Sequence, residues 1–447
     1  MSTHNILAES VDTVLSLARK QGVDADVIAS QGEGLSLKAD QGTLSEYKVT
    51  ASQVIGIRVV NDQRVAISYS ESLEPESLES MVREAITNAR YSKVDKYQTI
   101  RAENQRLCTP EADIFKPETV SIDDKIALAL SLEQSVIDKP LAKSAPYNSY
   151  SDSASTVVLA NTLGTYCTHR ERRYTCYTSA LIDHNDKQSM YLGASVGRTF
   201  ADLDAAWCVN QAYNTAELLL EGGPVKTGQY AVIFDQDSLN ELMGAFGSCF
   251  SGESAKRGTN PWKDKTGSLV ASPLLSFSDV AFVENGMAIK AFDGEGFATG
   301  DTPLIEEGKL TGFLHNSATA EYFGVTHTAN AGRSAKGALS ISSRHDIIAA
   351  GKSSSAEVTA GEYLEIIDLQ GVHSGADPIS GEFSFGAAGF LCRDGKRIRP
   401  IRGITVAGNY YKMLKEIDAV SDTLIPDYSR TFFAPMIRFA RLNVAGE

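Results

Sequence analysis

The chain has 447 residues, of which 43% are hydrophobic and 22% charged, with a formal net charge of −14. That length exceeds what one compact core serves, and about three domains is the expectation. The acidic balance argues against general nucleic-acid binding, which needs Lys and Arg to neutralise phosphates, and no run approaches the roughly 20 apolar residues of a membrane helix.

The N-terminal "MSTHNILAESVDTVLSLARKQG" has neither a basic start nor an unbroken apolar segment. No secretory signal is therefore expected, and a cytoplasmic location is the default. Leu7, Val11, Val14, Leu15 and Ala18 recur at helical spacing, and Gly22 closes the helix. Alternating runs follow, "DVIAS", "GLSLKAD" and "TLSEYKVTAS". The hairpin "VIGIRVVNDQRVAISYS" comes next, with its tight turn expected at Asn61-Asp62. In "PESLESMVREAITNAR", Pro75 opens a helix whose stripe is Leu78, Met81, Val82, Ala85, Ile86 and Ala89. These elements predict an N-terminal α/β domain over 1–100.

The polar, Pro-containing stretch from Thr109 to Thr119 reads as a linker, and Ser121 to Asp124 forms a capping-box pattern ahead of a helix. Strand-like runs follow, then a helix from about Asp202 to Leu220 that stops at Gly222-Gly223. A middle domain over 101–224 is expected. Within it, "HRERR" reads as a solvated hairpin tip, and a loop at Arg170 to Arg173 would set Cys167 and Cys176 facing each other as reduced thiols. The six cysteines include no CxxC pair, which argues against a zinc ribbon or thioredoxin-like motif. From Tyr230 on, frequent Gly and short β-prone segments predict a large, mostly antiparallel sheet-rich domain over 225–447. The fold class expected is α+β.

The chemistry centres on "IFDQDSLNELMGAFGSCF", which reads as a strand end, a turn and a helix. Leu239, Leu242, Met243, Phe246, Cys249 and Phe250 supply its core-facing stripe, while Asn240, Glu241, Gly244, Ala245 and Ser248 occupy the rest. Residues 240 and 245 point about 140° apart on an ideal helix. His315, His327, His345 and His373 lack ligand spacing. "DGEGFATG" lacks the strand, helix and lysine of a phosphate loop. It reads as a turn in which Asp293 and Glu295 shape a cleft wall. "SGADPISGEF" reads as a loop able to position substrate or partner, with His373 beside it.

The segments "AFDGEGFATGDTPLIEEGKLTGFLHNSATAEYFG", "TANAGR" and "DLQGVHSGADPISGEFSFGAAGFLCRDGKRIRPIRGITVAGNYYKML" resemble the PmbA/TldD family, the so-called modulators of DNA gyrase, on its PmbA (TldE) branch. The resemblance spans the whole chain. It implies a cytoplasmic proteolytic system for small or unfolded polypeptides, with roles in peptide-antibiotic maturation and antitoxin degradation. In the TldD branch a His-Glu-x-x-x-His helix and a C-terminal cysteine hold the metal. By that correspondence Asn240 and Ala245 stand at the two histidine positions, Glu241 at the glutamate, and no cysteine follows Cys392.

Alanine has no ligating atom and an amide carbonyl is a poor zinc donor. Without a metal, bound water keeps a pKa near 15.7 instead of about 7, on the order of 12 kcal/mol of lost activation. The resemblance therefore implies a chain with no cofactor of its own, paired with a TldD-type subunit that carries zinc and receives unfolded peptide. A homodimer is the expectation when that partner is missing. Two other readings stand beside this one: a metallopeptidase active alone through a non-standard metal site, and a non-enzymatic protein-binding regulator.

Overall fold

A computed structural model describes residues 3–101 and 106–447. Helix α1 (Thr3–Lys20) buries the expected Leu7, Val11, Val14, Leu15 and Ala18. It ends at Gly22, whose φ of 66° is the left-handed value a helix terminus of this kind requires. The runs expected as separate strands are continuous: β1 spans Asp24–Asp40, β2 Thr43–Asn61 and β3 Arg64–Ser70. The β2–β3 turn lies one residue later than expected. Asn61 pairs with Arg64, and the positive φ angles are those of Asp62 and Gln63. Helix α2 (Pro75–Ala89) buries Leu78, Met81, Val82, Ala85 and Ala89, while Ile86 is only partly covered.

Strand β4 (Arg106–Cys108), helix α3 (Glu111–Ile114) and helix α4 (Ile122–Ile137) follow. The stretch read as a linker is thus part of the packed structure. β4 pairs in parallel with a later strand, and Thr109 and Ile114 are fully buried. The cap of α4 is as expected, the Ser121 hydroxyl accepting from the Asp124 N–H. Strands β5 (Ala142–Ser144), β6 (Asn148–Asn161), β7 (Tyr166–His184) and β8 (Lys187–Gly197) precede α5 (Ala205–Leu219).

Strand β7 corrects the reading of "HRERR". The chain runs straight through Arg170–Arg173 as a β-strand, with Ala154 opposite Arg172 on β6. Arg170 pairs with Glu111 and lies over the Phe115 ring, and Arg198 pairs with Glu171. Cys167 and Cys176, nine residues apart on one strand, face opposite sides of the sheet. Cys176 instead lies 3.8 Å, sulfur to sulfur, from Cys208 on α5, and both are free thiols.

One eight-stranded sheet takes in β1 to β8, in the order β3-β2-β1-β6-β7-β4 with β5 and β8 also on β7. The β1–β6 ladder, from Asp26↔Asn161 to Leu37↔Tyr150, joins the N-terminal and middle segments without a break. Side-chain alternation explains how this sheet is used. Val27 and Ala29 of β1 and Ile55, Ile57 and Val59 of β2 join the core under α1 and α2. Asp26 and Ile28, Gly56 and Arg58 point the other way, onto loops of the C-terminal part. A Cβ on Gly56 would overlap the Ala335 carbonyl, so the strand and that loop touch backbone to backbone.

The C-terminal part is sheet-rich, as expected. Strand β9 (Gly228–Phe234) pairs in parallel with Glu362–Gln370 and antiparallel with Ile437–Ala445. With Glu382–Arg393, Lys396–Asn409 and Ile417–Val420 they form a six-stranded sheet in which Lys396–Asn409 also pairs with Ile437–Ala445, closing the sheet on itself. A second six-stranded sheet contains Phe277–Val280, Thr302–Glu306, His345–Ile348 and Phe432–Ala434. The core between them includes Phe246 stacked on Tyr410, with ring centroids 4.3 Å apart. No helix among the described residues is long and apolar enough to cross a membrane.

The two parts meet through buried charge. The Arg58 guanidinium pairs with Asp26 at 2.5 Å and with Glu295 at 3.3 Å, and Arg333 also pairs with Asp26. These side chains are all under 5% exposed. Arg58→Met leaves Asp26 and Glu295 short of a counter-charge in a site closed to water. The expected cost is about 3–5 kcal/mol of unfolding free energy in urea; a loss below about 1 kcal/mol shows instead that the pair is effectively solvated.

Candidate functional site

Helix α6 (Gln236–Ala245) follows β9 after a single capping residue. The Asp235 carboxylate accepts from the Ser238 N–H at 2.9 Å, and the fold holds it against the parallel ladder through Asp235 N–H to Ile366 O. Burial, ahead of the charges of Asp237 and Glu365, pushes the Asp235 carboxyl up to about 7. Leu239, Leu242 and Met243 are buried, and the Tyr410 hydroxyl reaches the Met243 sulfur at 3.2 Å. Past Ala245 the chain tightens into a 3₁₀ turn, Gly247–Phe250. The sequence had suggested one continuous helix.

The remaining face opens on a cleft of about 640 Å³ lined by Glu241, Gly244, Ala245 and, opposite, Leu369, His373 and Pro378. His373 stands on the single helical turn Val372–Gly375. Desolvation, and then the charges of Asp368 and Asp237, hold the Glu241 carboxyl above its ordinary value, with His373 opposing. Asn240 turns away from this cleft, donating from Nδ2 to Asp427 Oδ2 at 3.1 Å. Asp427 is a buried hub that also accepts from the Thr431 and Phe432 N–H groups and the Ser429 hydroxyl. The two positions flanking Glu241 therefore diverge, one into a buried hydrogen bond and one into the cleft.

A zinc ion at this helix does not fit the residues present. Ala245 offers a methyl group, and the Asn240 amide is engaged elsewhere. Among the described residues no group of three or more His, Cys, Asp or Glu side chains is placed to hold a metal. Cys392 is buried in Glu382–Arg393, its sulfur 3.6 Å from Glu365 Oε2. His345 uses both ring nitrogens on backbone, Nδ1 with Val280 O at 3.0 Å and Nε2 accepting from the Ala288 N–H at 3.0 Å. That pair of bonds selects the neutral Nδ1–H tautomer.

Asp293 and Glu295 lie apart from the Glu241 cleft and hold turns in place. Asp293 accepts from the N–H groups of Glu295, Phe297 and Ala331. Burial, then the neighbouring Glu295 charge, pushes its carboxyl up to about 7. Glu295 accepts from the Ser317 N–H and hydroxyl and from Arg58. The structure thus brings Glu241, Ala245 and His373 together and places the two acids at the junction with the N-terminal sheet. Asp427, which holds Asn240, was not singled out from the sequence, because a lone aspartate in "IPDYSR" carries no periodic or motif signal.

Family models match the chain in three consecutive segments. The PmbA/TldA metallopeptidase domain 1 matches residues 25–89, the central domain residues 115–220 and the C-terminal domain residues 227–446. The chain belongs to the PmbA/TldD metallopeptidase family, on its PmbA (TldE) branch. It is 27% identical over 430 residues to the metalloprotease PmbA of Escherichia coli O157:H7, covering 94% of this chain and 92% of that protein. Against a metalloprotease TldD homolog of Haemophilus influenzae the identity is 21% over 438 residues, 94% of this chain and 90% of the homolog.

A Thermotoga maritima crystal structure, described as a candidate modulator of a DNA gyrase, matches 98% of this chain and 100% of its own with a TM-score of 0.88 and 25% identity. TldE from Thermococcus kodakarensis shares the fold, with a TM-score of 0.85 and 21% identity over 98% of this chain and 100% of that one.

His315 is the other buried histidine of the C-terminal part. Its Nδ1 meets the Thr319 hydroxyl at 3.1 Å, and burial pulls the ring down to about 4. A lowered folded pKa means that the neutral ring's contribution is whole above the unfolded value of 6.5 and is lost as pH falls toward about 4. His315→Asn removes this titration. Its stability deficit relative to the unaltered protein should shrink by about 3 kcal/mol between about pH 7 and about pH 4 in urea unfolding; a deficit independent of pH would show that the ring is solvated.

Proposed function

We propose that this chain is the non-metallated subunit of a metallopeptidase complex that degrades or processes small or unfolded polypeptides. It helps to form the peptide-holding chamber, while a TldD-type partner carries zinc and performs the hydrolysis. The observation that carries this reading is the state of α6. The helix keeps the glutamate of the family motif but spends Asn240 on Asp427 and leaves a methyl at Ala245. Glu241 without a metal lacks the nine or so pK units of water activation that a zinc supplies. A sheet-rich domain suits sequence-tolerant capture of extended peptide by main-chain hydrogen bonds. A cytoplasmic setting and a homodimer in the partner's absence belong to the same proposal.

The names of the PmbA relatives as metalloproteases favour a second reading, in which this chain cleaves peptide by itself through another metal site. A third, non-enzymatic reading is a regulator of another protein. A reconstitution separates all three: each chain alone and then the mixture is assayed on an unfolded peptide, with the metal content of each chain measured. Turnover is expected only in the mixture, with zinc in the partner. Chelator-sensitive turnover by this chain alone at the mixture's rate would sink the partner-subunit reading, and no turnover in any arm would favour the regulator.

Glu241→Gln in the assembled complex should leave activity within a factor of about two. General bases contribute typically about 10²–10⁴-fold, so a loss of that size with assembly intact would make Glu241 catalytic.

A further inference from the structure

One edge of the eight-stranded sheet is open. Strand β2 runs from Thr43 to Asn61, yet β3 covers its outer side only from Ile55 onward. Every residue from Tyr47 to Ser52 is exposed. Which backbone groups face outward follows from the register. The Thr162 N–H donates to Ala25 O at 2.8 Å, so Ala25 turns its backbone groups towards β6. Successive residues of an antiparallel strand turn them to opposite sides. Asp26 therefore bonds towards β2, where Arg58 stands opposite, and the register is unbroken from there to Lys38↔Glu46. Lys48, Thr50 and Ser52 thus bond to β1. Tyr47, Val49, Ala51 and Gln53 aim N–H and C=O away from it, where no backbone partner meets them among the described residues.

Side chains alternate along the same edge. Tyr47 and Val49, 53% and 67% exposed, lie on one face. Glu46 and Lys48 lie on the other, where Glu46 pairs with Lys38 of β1 at 3.2 Å and accepts from the Ser36 hydroxyl. Lys48 is in no ion pair among the described residues. Natural sheets guard open edges with lysines, which repel an approaching strand of like charge. A lysine two residues from a glutamate on one face does the reverse for one partner, because it makes the edge complementary to itself.

We propose that this edge pairs antiparallel with the same edge of a second copy of the chain, about a twofold axis at Tyr47, joining two eight-stranded sheets into one. Charge and steric fit select the register. With Tyr47 opposite the second copy's Tyr47, each Lys48 lies opposite the other copy's Glu46, giving two cross-strand ion pairs. The neighbouring bonded registers, Tyr47 opposite Ser45 or opposite Val49, set Glu46 against Glu46 or Lys48 against Lys48. Slipping further towards β3 drives the Gln41–Gly42 turn into the strand that begins pairing at Ile55. A peptide of unrelated sequence would satisfy the backbone but would not supply this charge pattern, so the occupant is a second copy. The inference rests on the homodimer of the preceding reading and assigns its surface, independently of the chemistry of α6.

Sedimentation velocity of the full chain without a partner subunit, across micromolar concentrations, reads the association. A dimer is expected. Lys48→Glu and Glu46→Lys each turn both ion pairs into like-charge contacts and should weaken dimerisation at least about tenfold. Mixed in equal amounts, the two variants face each other with opposite charges, and their heterodimer should form at least about tenfold more tightly than either variant with itself. Val49→Pro removes an outward N–H without breaking a bond to β1 and should also weaken the dimer. Circular dichroism checks its folding, and if it is unfolded the charge variants decide. A chain monomeric throughout, a dimer that the charge variants leave unchanged, or a mixture no tighter than its parts each overturns the assignment. An unchanged dimer leaves the homodimer itself standing on another surface, and none of these outcomes touches the reconstitution of peptide hydrolysis.

Discussion

Four charged side chains, Asp26, Arg58, Glu295 and Arg333, meet where the inner face of the N-terminal sheet abuts the C-terminal loops. Everything else in the molecule is arranged around the need to satisfy them. Their burial is tolerable only because each carboxylate finds a guanidinium and each turn around them is tied by backbone hydrogen bonds. Arg58 and Asp26 come from paired strands, directly opposite in register. Glu295 and Arg333 arrive from loops almost three hundred residues later in the chain. Backbone contact at Gly56 and Ala335 then sets how close the two parts can come.

That junction also determines where ligands can go. On one side of the C-terminal part, α6 and the turn bearing His373 leave an open cleft whose chemistry is one carboxylate and one imidazole. On the other, the junction borders a cavity whose lining residues include Ile28, Arg173 and Arg333. The first has the architecture of a peptidase helix without ligands beside its glutamate. The second is lined by charges of both signs, Arg173 and Arg333 with Glu171 and Asp293.

Several elements were legible in the sequence because their signals are local. The stripes of α1 and α2 and the Ser121 cap depend on residues three or four apart, and each was found in place. Where the reading went astray, a distant partner had overruled local polarity. "HRERR" reads as a loop because five polar residues stand together. It is a strand because β6 pairs with it from His169 to Arg173, while Glu111 and the Phe115 ring take up Arg170 and Arg198 takes up Glu171. The stretch from Thr109 to Thr119 reads as a linker for the same reason, yet α3 lies within it and Thr109 and Ile114 are fully buried.

By itself, then, the sequence determined the α+β class, the main helices and strands, and the family. Only the tertiary structure decided where the lone polar residues point. It turned Asn240 onto Asp427, assigned Glu295 to Arg58 instead of to a cleft wall, and buried the Arg333 side chain against Asp26. The physical reason is that burial sets the worth of a charge, and burial here comes from segments hundreds of residues apart closing on one another. Nothing in the spacing of single aspartates and arginines along the chain encodes that closure.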